Sequence, residues 1–314
     1  MPEIVACPFL DAGNGADRAL DPTLDLTYIF LIEWLSEQAT LFDDPLINVY
    51  GDEVRFECWN QSQSIKAWME SHNIAKGDFQ GLTEVFWKRF AKEVAPAVFN
   101  RTNTSMMIGE ANVDGTDGPP FALPTWLQQA MPTYPLPLTV EVWGGHTLER
   151  NENGTLRKTL SVPGMQAVIG GAYYLDQDLP RPYNSGGESK LVYRAPYWVS
   201  VWRTMYSFEP LGDPALTDEQ RSKVIGLVAE MWGEQINSGT VENRIFPHAL
   251  AMAERGWSSV DHFHPNGTAH VWSSEFYAQV EGRLNLMSCT LNRRGIQSSP
   301  SAPGHCSWSQ TSGV

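Results

Sequence analysis

Positive charge is scarce in this 314-residue chain, where 22 Lys and Arg stand against 36 Asp and Glu for a formal net charge of −14. Such a chain repels phosphate backbones and anionic lipid, and no Lys/Arg stripe breaks the pattern, so no nucleic acid partner is expected. Long apolar runs are missing too. Stretches such as Tyr28 to Ile32 are interrupted by Glu and Ser well before the ~20 residues that a membrane span needs, so no span is expected. The first residues, Met-Pro-Glu-Ile-Val-Ala-Cys, carry neither a basic n-region nor an apolar h-region, and no signal peptide is visible. The Gly-rich stretch Asn184 to Gly187 lacks the Lys-Ser/Thr of a phosphate cradle. Asp261-His262-Phe263-His264 lacks a third and fourth ligand at fitting spacing. Neither a metal nor a cofactor is therefore expected.

Cysteine is sparse but even in number. Of the four, Cys289 and Cys306 bracket a polar Gly/Pro/Ser tail with little core of its own. Five Asn-x-Ser/Thr acceptor sites, at Asn60, Asn100, Asn103, Asn153 and Asn266, exceed what a cytosolic chain of this length collects by accident. Together these features favour an oxidising, secretory compartment. The missing leader conflicts with that reading, and further residues are expected before Met1.

The apolar pattern switches between helical and strand periods, as in an α/β domain. Asp21-Pro22 reads as an N-cap and first-turn pair opening a helix to about Thr40, with Tyr28, Leu31 and Leu35 on its inner face. Strands are expected at Leu46 to Tyr50, Ser105 to Ile108, Leu138 to Trp143, Ala167 to Ala172 and Ile225 to Met231. Helices are expected around Ser64 to Met69, Leu82 to Val94 and Thr217 to Lys223, the last opened by a Thr217/Gln220 capping box. A long amphipathic helix from about Ser273 to Arg294 ends at Gly295.

Five strands that each end in a polar or aromatic residue suggest a parallel barrel or a doubly wound sheet, whose ligands bind at the C-terminal strand ends. Those ends carry Asp52 and Glu53, then Glu110, then Trp143, then Tyr173, Tyr174 and Asp176, and finally Trp232 and Glu234. Carboxylates mixed with Trp and Tyr suit a sugar: acids serve hydroxyls and glycosidic oxygens, and aromatic faces stack on the apolar side of a pyranose.

The run Tyr50-Gly51-Asp52-Glu53-Val54-Arg55-Phe56-Glu57-Cys58-Trp59 resembles the Gly-Asp-Glu signature of the β-N-acetylhexosaminidases of glycoside hydrolase family twenty, in their lysosomal branch. Leu20-Asp21-Pro22-Thr23, Val140-Glu141-Val142-Trp143, Tyr174-Leu175-Asp176, Met231-Trp232-Gly233-Glu234 and Pro247 to Ser258 are similar to further family segments, in order. The resemblance implies a (β/α)8 barrel of which residues 1–314 form a single partial catalytic domain. That part runs from just before the fourth strand through the eighth, with 268–314 as C-terminal helix and disulfide-tied tail. It also implies bridges Cys7–Cys58 and Cys289–Cys306.

By the same resemblance the substrate is an amino-sugar-terminated glycan or glycolipid, hydrolysed with help from its own acetamido group. Glu53 would be the proton donor, Asp52 the partner of the acetamido N–H, and Tyr174 the donor to the acetamido oxygen. Asp176 and Glu234 would hold hydroxyls, and Trp143 and Trp232 would wall the sugar. The location implied is lysosomal or secreted, with a possible homo- or hetero-dimer. Two segments depart from the family. Asn48, Val49, Tyr50 and Gly51 stand where it usually has His, apolar, Gly, Gly, and strand alternation puts Tyr50 on the face of Asp52. Ile108 stands where a Trp is common. A catalytically lapsed sugar- or subunit-binding relative, and a fragment without independent function, are the competing readings.

Overall fold

The computed structural model describes residues 2–7, 19–51, 54–102, 104–110, 122–131, 137–143, 155–171, 173–176, 183–185, 188–190, 202–233, 236–258, 274–301 and 306. The chain divides into two compact units, Met1–Glu141 with Thr155–Ala167, and Val142–Gly154 with Val168–Val314.

In the first unit, helix α1 spans Asp25–Leu41 and buries Tyr28, Leu31 and Leu35 as expected. It opens three residues later than Asp21 predicts, because Asp21 is committed elsewhere. Its carboxylate accepts from the Thr23 amide at 2.9 Å and the Thr23 hydroxyl at 2.6 Å, an Asx turn rather than a helix cap. The Pro22 carbonyl accepts from the Tyr28 hydroxyl at 2.8 Å, which ties this turn down onto the helix. Strand β1 follows at Leu46–Tyr50, then the short helices α2, Phe56–Gln61, and α3, Gln63–Ser71. The Cys7–Cys58 disulfide joins the N-terminal segment to α2, and Trp59 of that helix packs with Ile65, Met69 and Leu82.

Helix α4, Phe79–Arg89, is capped by Asp78, whose carboxylate accepts from the Gly81 amide at 2.9 Å. The expected end at Val94 is not a stop. The chain passes through a π turn at Phe90–Val94 into α5, Ala95–Thr102. Arg89 pins this stack to α1, with its guanidinium 3.8 Å from the Tyr28 ring centre and hydrogen bonds to Asp25 and Glu93. Strand β2 is Ser105–Gly109, α6 is Leu123–Ala130, β3 is Leu138–Val142, α7 is Thr155–Ser161 and β4 is Met165–Ile169, which starts two residues before the expected strand. β1 runs parallel to β2 and β2 parallel to β3, with Ile47 opposite Met106, Ile108 opposite Val140 and Gly109 opposite Glu141.

Further along come a two-stranded hairpin, β5 at Tyr183–Ser185 and β6 at Glu188–Lys190, and helices α8, Trp202–Ser207, and α9, Asp218–Ser222. The Thr217/Gln220 capping box opens α9 as the sequence predicts. Strand β7 is Val224–Leu227, shorter than expected, and an isolated bridge between Tyr174 and Glu230 lies beyond its end. Helix α10, Val241–Ile245, leads into α11, His248–Trp257, and α12, Ser274–Arg293, ends at Gly295 with φ 82°. Trp202, Tyr206, Ala251, Val280 and Leu284 form one core of this second unit, and Tyr173, Leu175 and Met205 form another. A buried Arg255–Glu209 ion pair and the Cys289–Cys306 disulfide are also in this unit. In the first unit β1, β2 and β3 lie side by side in chain order and parallel, as an α/β fold with a parallel sheet requires.

Burial raises the ionisation of three phenols, Tyr28, Tyr173 and Tyr206, above the ordinary tyrosine range. Each folded phenol holds its proton where the unfolded one has released it. The stability they contribute is thus complete below the free-phenol value of about 10 and is lost as pH rises beyond it. Urea midpoints measured from pH 8 to 11.5 are expected to hold level to about pH 9.5 and then fall, with tyrosinate absorbance appearing only as the chain unfolds.

Candidate active site

The site residues expected from sequence divide between the two units. In the first, β1 breaks its regular pairing just where the acids approach. Asn48 sits opposite Met107 but Tyr50 sits opposite Ile108, which leaves Val49 as an extra residue. The Asn48 side-chain oxygen accepts the Tyr50 amide at 3.0 Å, standing in for a ladder partner. Tyr50 then takes φ 53° and Gly51 φ 81°, two left-handed residues in succession. The alternation that put Tyr50 on the face of Asp52 therefore stops at Asn48. A Cβ on Gly51 would lie 3.0 Å from the buried Trp87 ring of α4, so only glycine fits there.

The Tyr50 ring leaves this turn toward β3, where its hydroxyl donates to Glu141 Oε1 at 3.2 Å. Glu141 is 1% exposed, and Glu110, which follows β2, is also buried. Ile108 is fully buried between its ladder partners Tyr50 and Val140. Asp52 and Glu53 lie outside the described residues.

In the second unit one residue that sequence reasoning missed, Glu230, bridges to Tyr174 and also bonds Trp232. Glu230 accepts the Trp232 indole N–H on Oε2 at 3.2 Å. Its main chain bridges to the strand-end segment, donating to the Tyr173 carbonyl at 3.0 Å and accepting from the Leu175 amide at 2.8 Å. Tyr174 and Asp176 are buried, Trp143 is half-buried, and Trp232 leaves 46% of its surface open. A large indole held in place yet open to solvent is a platform for a flat apolar ligand face. Glu230 carried no sequence signal beyond standing two residues before that Trp. Glu234 lies outside the described residues.

Both expected disulfides are formed, Cys7–Cys58 and Cys289–Cys306. Of the glycan acceptor sites, Asn60 is exposed at the end of α2 and Asn100 falls in α5, while Asn103, Asn153 and Asn266 lie outside the described residues. Among the described residues no cluster of His, Cys, Asp and Glu is arranged to hold a metal ion, and no helix is long and apolar enough to cross a membrane.

Removal of the Glu230 acceptor is expected to release the indole: in Glu230→Leu the Nε1–H resonance of Trp232, identified by its loss in Trp232→Phe, moves upfield toward the free-indole position. The accompanying loss of stability is about 1–2 kcal/mol, read from urea midpoints.

Residues 10–260 match the model of glycosyl hydrolase family 20, catalytic domain. The chain is 25% identical over 298 residues to the cat (Felis catus) β-hexosaminidase subunit beta, covering 94% of this chain and 45% of that protein. To β-hexosaminidase subunit A1 of Dictyostelium discoideum it is 26% identical, covering 97% and 47%. The chain thus spans under half the length of these relatives. Among solved structures it is similar to the chitobiase of Flavobacterium johnsoniae, with TM-score 0.61 at 19% identity, covering 94% of this chain and 37% of that one. The N-acetyl-β-hexosaminidase of Streptomyces plicatus matches with TM-score 0.53 at 19% identity, covering 91% and 45%.

Proposed function

Since the chain belongs to glycosyl hydrolase family 20, we propose that it is a β-N-acetylhexosaminidase removing terminal, non-reducing N-acetyl-β-hexosamine residues from glycans or glycolipids. The observation that carries this reading is the turn closing β1. Two left-handed residues lead the chain off a parallel strand, and the adjacent acids Asp52 and Glu53 come at once after them. Binding residues in parallel α/β folds gather at this end of the strands.

In the proposed reaction the substrate's acetamido oxygen attacks the anomeric carbon while the glycosidic C–O bond breaks, and no protein nucleophile is required. Glu53 gives its proton to the leaving oxygen and then takes one from the water that opens the oxazolinium ring. Asp52 accepts the acetamido N–H and, staying ionised, offsets the positive charge on that ring. Tyr174 aims the acetamido oxygen, Asp176 and Glu234 hold hydroxyls, and Trp143 and Trp232 wall the sugar. The open, hydrogen-bonded indole of Trp232 supports its role as stacking face. The five strands are read as the fourth to eighth of the family's barrel, within one partial catalytic domain. Lysosomal or secreted location and pairing of subunits are part of the same proposal, supported by the two disulfides and by relatives named as hexosaminidase subunits.

The test is release of a chromophore from a chromogenic N-acetyl-β-glucosaminide near pH 5. Hydrolysis is expected, with Glu53→Gln lowering kcat by about 10²-fold or more. Binding of N-acetylglucosamine without any hydrolysis would select the non-catalytic reading. Glycan attachment at Asn60, two residues from the oxidised Cys58, is checked separately. Protein from a secretory eukaryotic host is expected to lose mass on peptide:N-glycosidase digestion, with Asn60→Gln one glycan lighter before digestion.

A further inference from the structure

We infer that Tyr50 is a positioning residue for the acid pair, a strut whose hydroxyl grips Glu141 and thereby fixes the turn that delivers Asp52 and Glu53. The inference rests on the proposed role of those acids and adds a residue that works through them. Three observations carry it.

First, the backbone at Tyr50 is left-handed, a conformation that a bulky side chain adopts only where its surroundings impose it. Two contacts impose it here: the Asn48 carboxamide on the Tyr50 amide, and the Glu141 carboxylate on its hydroxyl.

Second, the acceptor is immobile. Glu141 lies inside β3, in register with Gly109 of β2, and is almost wholly buried. A bond from Tyr50 to this residue spans 91 positions of sequence and refers the end of β1 to a strand two places away.

Third, the turn is bounded on a second side. A Cβ on Gly51 would stand 3.0 Å from the Trp87 ring of α4, so a larger residue after Tyr50 would be crowded on that side. The chain has only one residue, Gly51, between the phenol's anchor and Asp52. Two peptide units separate Tyr50 from Asp52 and three separate it from Glu53, and a misplacement of about 1 Å is costly for proton transfer.

The experiment compares Tyr50→Phe and Tyr50→Gly with the full wild-type chain, recording kcat, KM and the urea midpoint on the chromogenic N-acetyl-β-glucosaminide. In Tyr50→Phe the ring remains and only the donor is lost, and kcat is expected to fall roughly three- to tenfold, the scale of one hydrogen bond, with KM unchanged. Tyr50→Gly relaxes the left-handed residue, so its urea midpoint is expected to hold level or rise while its kcat still falls. A variant no less stable than wild type, yet with lower kcat, separates positioning from a merely structural role. The inference is overturned if Tyr50→Phe keeps wild-type kcat, if Tyr50→Gly gains activity, or if the kcat losses simply track losses of stability. A wild-type chain that hydrolyses nothing brings down the proposed function, and this inference with it. Active wild type with indifferent variants brings down the inference alone.

Discussion

The register of three parallel strands decides what the first unit can present. Parallel strands all point the same way, so the residue after each one arrives at a common edge, and side chains one residue apart face opposite ways. Ile108 opposite Val140 and Gly109 opposite Glu141 set β3 on β2, and the extra residue at Val49 resets β1 by one. Slip any pairing by a single residue and Glu141 turns to the other face, where the Tyr50 hydroxyl cannot reach it. The buried carboxylate and the left-handed turn are consequences of that one registration.

In the second unit the same task is done with a single side chain. Tyr173 and Leu175 each hydrogen-bond the main chain of Glu230, and its carboxylate takes the Trp232 indole N–H. A residue that bridges strand ends through its backbone thus orients an aromatic face with its side chain. Free in solution, an exposed indole samples several rotamers. Tied at Nε1, it has lost that freedom before any ligand arrives, which lowers the entropy cost of stacking. This is why Glu230, without any signal of its own in the sequence, belongs to the description of the site.

What sequence shows best is what local chemistry decides alone. The Thr217/Gln220 capping box, the Gly295 stop and the strand from Leu46 to Tyr50 need only neighbouring residues, and the structure has them where expected. Both disulfides came from family resemblance, not from spacing. Misplaced features share a different cause. Asp21 reads as a cap until Thr23 claims its carboxylate. Helix α1 also exposes Leu26, Ile29 and Trp34, yet the face that it buries, with Tyr28, Leu31 and Leu35, is the expected one, and only its start differs. The bulge at Val49 is invisible because alternation looks intact through Leu46-Ile47-Asn48, and only pairing with β2 reveals the extra residue. Asp52, Glu53 and Glu234 lie outside the described residues, so the case for them rests on family membership and on the turn that precedes the first two.

Magnitudes show why Tyr50 is hard to explain as a stabilising residue. A non-glycine side chain in the left-handed region costs about 1–2 kcal/mol. One intramolecular hydrogen bond returns about 0.5–1.5 kcal/mol. The two nearly cancel. Glycine, which the family usually has here, reaches the same backbone geometry without the penalty and without needing Glu141. Stability is therefore close to indifferent to the exchange, and the difference lies in definition: glycine leaves the turn free to adjust, whereas Tyr50 couples it to β3. A residue that adds no net stability yet ties the acid-bearing turn to a buried carboxylate is best understood through the two acids that come next in the chain.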